Sequence, residues 1–93
     1  MTTTYVKKPI VVEAVQFTDK NKNQVYSWAR EIQNNVTAGQ HELDSSPYLN
    51  IQTLEGIMTC NIGDWLIIEP FPTDWRKLYP VKDKVFHQTY ILS

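Results

Sequence analysis

Cysteine is nearly missing from this chain: Cys60 is the only one in 93 residues. A lone thiol closes no internal disulfide, so the fold must rest on its own core, and the composition fits a reducing compartment. Glycine is scarce as well. The three glycines lie at 39, 56 and 63, a spacing that excludes both the phosphate-cradling loop and the dinucleotide fingerprint. Charge of one sign is also lacking, because nine basic and ten acidic side chains leave a net charge of −1. That balance speaks against a nucleic-acid binder, which presents a basic face to the phosphate backbone. No apolar run approaches the roughly 18 residues of a membrane span, and the opening MTTTYVKKP has no signal-peptide core. There is no His/Cys cluster for zinc and no nucleophile elbow. The expectation is a soluble protein of the cytoplasm, without metal or cofactor, that is not an enzyme.

What is present describes one domain spanning 1–93, with residues 1–4 read as disordered. At 42% apolar and 20% charged residues it falls in the globular class. Eleven aromatics are a generous supply, enough for a core and for a contact surface. Lys7, Lys8 and Pro9 lead into IVVEAVQFT, whose β-branched residues predict a strand from Ile10 to Thr18. Glu13 shares a face there with Val11, Val15 and Phe17. It is either a semi-buried carboxylate with a raised pKa or a group that a bend carries to solvent. The second reading is favoured, since buried carboxylates are rare unless paired. Asp19 stands where a helix N-cap belongs, and Val25, Trp28, Ala29 and Ile32 follow at helical spacing. Trp28 is read as core, while Tyr26, Arg30 and Gln33 face outward or flank the stripe. Residues 34–47 read as a loop with a short edge strand at Gln40–Leu43, and His41 as a surface histidine.

The stretch TLEGIMTCNIGDWLII organises the rest. A hairpin centred on Glu55-Gly56 sets Leu54 opposite Ile57, Thr53 opposite Met58, Ile51 opposite Cys60 and Leu49 opposite Ile62. One face then collects Leu49, Ile51, Thr53, Met58, Cys60 and Ile62, which makes Cys60 a core group. Gly63-Asp64 bends the chain into a buried strand, Trp65 to Glu69. The two prolines of PFPTDW predict an exposed loop from Pro70 to Trp75. Arg76–Val81 reads as a further strand with Leu78 inward and Pro80 marking its edge or end. Asp83 caps a single helical turn through Val85 and Phe86, and QTYIL closes the chain as a strand. The fold expected is α+β: a strongly bent antiparallel sheet of about five strands, partly barrel-like, covered by one amphipathic helix.

Few constellations carry chemistry. Glu55 and Asp64 lie near opposite ends of one strand, roughly 20 Å apart, too far for a glycosidase pair. Trp75, Arg76, Lys77, Tyr79, Lys82 and Lys84 interleave aromatic and basic groups as single-strand binders do. Asp74 and Asp83 interrupt that run, so a solvated edge is the preferred reading. Trp75, Arg76 and His87 could sandwich a nucleotide-like ligand.

The blocks KKPIVVEAVQF, TLEGIMTCNIGDWLI and LYPVKDKVFHQTY, in that order, resemble a family of small proteins from tailed phages and prophages of Gram-positive bacteria. That family has no assigned activity, so the resemblance implies origin and fold more than function. Its signature falls on Glu13, Gln16, Glu55, Gly56, Gly63, Asp64, Trp65, Tyr79, Pro80, Lys82, Phe86, Thr89 and Tyr90. The chain departs from the pattern at EPFPTDWRKL and in its long loop from His41 to Pro47. Together these features predict a non-enzymatic phage accessory protein in the host cytoplasm that binds and inhibits a host or antiviral-defence protein. A nucleotide-signal sponge is the second reading and a virion or assembly component the third. The binding residues expected are Trp75, Arg76, Lys77, Tyr79, His87 and Glu55, with a homo-oligomer, a dimer, as the assembly.

Overall fold

Two three-stranded antiparallel sheets share a core with a helix in the computed structural model, which describes residues 2–4 and 10–91. Within these residues the order is β1 (Ala14–Gln16), α1 (Lys22–Ile32), β2 (Thr37–Gln40), β3 (Pro47–Thr53), β4 (Gly56–Asn61), β5 (Trp65–Ile68), β6 (Leu78–Val81) and α2 (Asp83–Thr89). One sheet runs β2-β3-β4 and the other β1-β5-β6. The α+β class is therefore as expected. The single sheet of about five strands is not: among the described residues six strands divide into two sheets, no barrel closes, and a second helix is present.

The β3–β4 hairpin shows how far local pattern reaches. Thr53 pairs with Gly56, Ile51 with Met58 and Leu49 with Cys60, so the register is shifted by two residues from the one expected. An even shift leaves every side chain on its own face. Leu49, Ile51 and Cys60 are accordingly buried, together with Thr53, whose hydroxyl donates to the Gly56 carbonyl at 2.8 Å. The turn centre moves to Leu54-Glu55, and Gly56 follows it at φ 104°, the place of a left-handed residue after a type I turn. Ile62 leaves the sheet altogether. It sits in the turn Asn61–Asp64, where the Asp64 N–H donates to the Asn61 carbonyl at 3.0 Å and Gly63 takes φ 93°, as a type II turn requires. This turn carries the chain from one sheet to the other.

Other boundaries also differ. The first strand is shorter than Ile10–Thr18, although backbone bonds from Ile68 to Glu13 and from Phe17 to Asp64 extend its ladder (both 2.9 Å). Glu13 is exposed, as the favoured reading held. Asp19 does not cap the helix. Thr18 and Asn21 bond reciprocally, main chain to side chain, at 2.8 and 3.2 Å, which delays the start to Lys22 and leaves Asp19 to pair with Lys22 at 3.2 Å. Val25 and Ala29 are buried, and Trp28 is half-buried against the same core. The edge strand falls at Thr37–Gln40 rather than Gln40–Leu43, because a turn closed by His41 N–H to the Ser46 carbonyl, 2.9 Å, occupies the later residues. The final strand QTYIL is not found: Gln88 and Thr89 belong to α2, and Leu92 lies outside the described residues. Asp83 opens α2 as its first residue, and Lys82 stands at the cap. The lead Lys7-Lys8-Pro9 also lies outside the described residues.

Gln33 is the largest departure from expectation. It follows α1 directly and is 3% exposed. Its Nε2 donates to the Gln52 carbonyl at 2.9 Å, and its Oε1 accepts the N–H groups of Lys77 and Leu78 at 2.9 and 3.2 Å. One amide thus joins the helix end to β3 in one sheet and β6 in the other. On β6, the bond from Glu69 N–H to the Lys77 carbonyl sets the ladder in which Tyr79 and Val81 face β5, so the nitrogens of Leu78 and Pro80 point away from it, while the Lys77 N–H at the start of the strand turns to Gln33. Gln33 takes the Leu78 donor, and Pro80 has none to offer. Truncating Gln33 leaves two N–H groups and a carbonyl without partners, which costs about 2–4 kcal/mol in total. Urea unfolding of Gln33→Ala is expected to show that loss; a change below about 0.5 kcal/mol, the range of ordinary surface substitutions, would refute the clamp.

Candidate functional site

The two faces of the β1-β5-β6 sheet have different fates. Strand register places Val15, Leu66, Ile68, Leu78 and Pro80 on the core side, and Ala14, Gln16, Ile67, Tyr79, Trp65 and Val81 on the other. α2 covers one end of that second face. The Phe86 ring stacks on Trp65 at 4.0 Å with 3° between planes, and Trp65 Nε1 donates to Asp83 Oδ1 at 2.8 Å. The same oxygen accepts Gln16 Nε2 at 3.3 Å and meets His87 Nε2 at 3.1 Å. A helix of only two turns is marginal alone, and these contacts hold it.

Over the rest of the face the described residues leave a groove, at whose base Ile67 is buried. The groove, of about 610 Å³, runs over Ile67, Tyr79 and Val81, between Ile10 and Val12 on one side and Phe71, Tyr90 and Ile91 on the others. Phe71 is 72% exposed and Ile91 93%. Buried Leu66 and Leu78 support the floor from behind. The loop from Glu69 turns Phe71 over the groove because two prolines prevent it from continuing the sheet.

A hollow of about 260 Å³ adjoins the groove and shares Glu69, Phe71 and Tyr79 with it. The Leu54-Glu55 turn of the hairpin forms one wall and Arg76 another. The Tyr79 hydroxyl donates to Glu55 Oε2 at 3.1 Å. Burial is the first cause that raises the Tyr79 pKa, followed by the Glu55 hydrogen bond and charge and then the charge of Glu69. Arg76 is occupied by Asp74. Its Nε lies 3.1 and 3.0 Å from the two carboxylate oxygens, its Nη2 meets Oδ2, and its guanidinium lies 5.4 Å from the Trp75 ring. This partnership holds Asp74 below the usual carboxylate range and raises Arg76. Glu55 and Glu69 have no such cation: neither joins an ion pair among the described residues.

Of the residues expected to bind, the fold gathers Glu55, Arg76 and Tyr79, with Trp75 against Arg76. Lys77 is exposed beside them, and its main-chain N–H serves the Gln33 clamp. His87 does not join them. It lies on α2 at the Trp65–Val81 end of the sheet, so the sandwich of Trp75, Arg76 and His87 does not form. Residues missed by sequence reasoning include Ile67, Glu69, Phe71 and Tyr90. The alternation of β5 already places Ile67 and Glu69 on one face. Matching them to Tyr79 needs the β5–β6 register, which a loop of uncertain length conceals.

Cys60 lies elsewhere. It is buried in the core, and burial pushes its thiol up to about 12, so it is neither a nucleophile nor a ligand at neutral pH. Among the described residues no group of three His, Cys, Asp or Glu side chains could hold a metal ion, and no helix is long and apolar enough to cross a membrane. In comparisons with known proteins, no family profile, curated sequence or solved structure matches the chain at a significant level.

The Tyr79–Glu55 contact has a pH signature. A folded-state pKa raised above the ordinary phenol value of about 10 stabilises the fold below that pH, and the stabilisation is lost as pH rises through the folded pKa. Glu55→Gln removes one cause of the shift. The alkaline absorbance titration of Tyr79, isolated by difference from Tyr79→Phe, is expected to move to lower pH in that variant. An unchanged titration would mean that the carboxylate does not act on the phenol.

Proposed function

We propose that this chain is a non-enzymatic accessory protein of a tailed phage or prophage that acts in the host cytoplasm by binding a host or antiviral-defence protein and inhibiting it. The observation that carries the binding part is the open cleft on the outer face of β1-β5-β6, with its apolar groove and acidic hollow. Cores bury side chains such as Phe71, whereas here that ring is 72% exposed beside the groove floor. An exposed apolar patch rimmed by polar groups is the usual form of a protein-binding surface. Tyr79, kept protonated among carboxylates, is suited to hydrogen bonding rather than to base or nucleophile chemistry at neutral pH. The phage origin rests on the three ordered sequence blocks alone.

A nucleotide-signal sponge is the rival reading. The hollow opposes it, because Glu55 and Glu69 line the space where phosphates would need cations, and Arg76 is already committed to Asp74. To test the main reading, the tagged chain and its Phe71→Ser variant are exposed to host lysate with quantitative mass spectrometry. A defined host protein is expected to be retained by the parent and lost at least tenfold by the variant. Equal recovery by both proteins, or a nucleotide released stoichiometrically on heating, would overturn it.

Self-association as a dimer through an open sheet edge belongs to the same proposal. Light scattering is expected to give twice the chain mass; a value near 10.9 kDa would remove the dimer without touching the cleft.

A further inference from the structure

We infer that the cleft recognises a polypeptide segment in which an apolar side chain is followed by a lysine or arginine, the apolar group lying in the groove and the cation in the hollow. This inference rests on the reading of the cleft as a protein-binding surface and specifies what it reads. Four points on the surface support it. The groove floor of Ile67, Tyr79 and Val81 is mainly hydrocarbon, with Glu69 and Thr89 as polar groups in the lining. The adjoining hollow, about 260 Å³, is large enough for the end of one long side chain and is lined by Glu55 and Glu69. The cation in its wall is cancelled by Asp74 at short range, so the hollow presents net negative charge. The Tyr79 hydroxyl spends its proton on Glu55, which leaves its oxygen free to accept a bond from an ammonium or guanidinium.

The two compartments lie side by side along β6, and Tyr79 belongs to both. Val81 and Tyr79 stand two residues apart on the same face, about 7 Å. An extended segment repeats its side chains on one face at the same interval. Apolar groups at i and i+2 with a basic group at i+4 would therefore match groove, groove and hollow in turn. An acidic or phosphorylated segment would meet like charge and is selected against. A second copy of this chain is the competing occupant.

The probe is a synthetic acetylated peptide amide, Ser-Leu-Thr-Leu-Thr-Lys-Ser, titrated into the full isotope-labelled chain and followed by amide chemical shifts. Perturbations are expected around Ile67, Glu69, Phe71 and Tyr79. Replacing the peptide lysine by norleucine is expected to weaken binding about tenfold, as is the Glu55→Gln/Glu69→Gln double variant, which keeps the Tyr79 bond partner and the fold. Replacing both leucines by serine is expected to abolish binding. Equal affinity for a glutamate-bearing peptide, or shifts on another face, would overturn the inference. So would concentration-dependent shifts of the same residues without peptide, because a second copy would then be the occupant. If the peptides bind in the groove without regard to charge, this inference fails while the protein-binding reading survives. Loss of all capture from lysate would instead remove that wider reading.

Discussion

The side-chain amide of Gln33 is the interaction on which the two halves of this fold depend. Each sheet has three strands and an apolar face that needs a partner to cover it. A helix laid over both can bury their apolar faces, but burial is not directional and does not fix how the sheets meet. The amide supplies that direction. It accepts two main-chain donors of β6 and donates to a main-chain acceptor of β3, with less than a tenth of its surface exposed. Its main-chain partners lie 19, 44 and 45 residues away in sequence, so this set of bonds can form only when both sheets are in place.

The cleft follows from that placement. With Leu66, Leu78 and Pro80 turned to the core, strand alternation sends Ile67, Tyr79 and Val81 the other way. α2 covers the Trp65 end through ring stacking and the Asp83 bonds, and the proline-rich loop overhangs the opposite end. The hairpin turn from the second sheet then brings Glu55 to Tyr79. The acidic hollow is thus made by both sheets, and its geometry depends on the same junction that Gln33 fixes.

Much of this was legible in the sequence, and the remainder has physical reasons for being hidden. Face membership in the hairpin survived a two-residue error in register, since inside and outside repeat with period two. The bend at Gly63 was visible, but a bend looks the same whether the chain continues one sheet or begins another. A single helical turn from Asp83 was legible, but the extent of α2 to Thr89 was not, because DKVFHQT has modest helix propensity and its support comes from Trp65, distant in sequence. Gln33 escaped for a related reason: a polar residue beside an apolar stripe is assigned to solvent unless its partners are known. At the site, Glu55, Arg76 and Tyr79 were identifiable as unusual groups near turns, whereas the groove between them was a product of pairing across a loop.

The treatment of β6 has a consequence for the kind of information this surface can read. Along the side of β6 away from β5, Leu78 has its N–H bound to Gln33, and Pro80 carries none. Both residues are buried and β6 lies there against β3 and β4, so an approaching chain cannot zip onto that side through its backbone. Backbone zipping is nearly blind to sequence, because every residue offers the same main-chain groups. By closing that route beside the cleft, the fold leaves side-chain shape and charge as the means of recognition, and a partner there must be chosen by its residues.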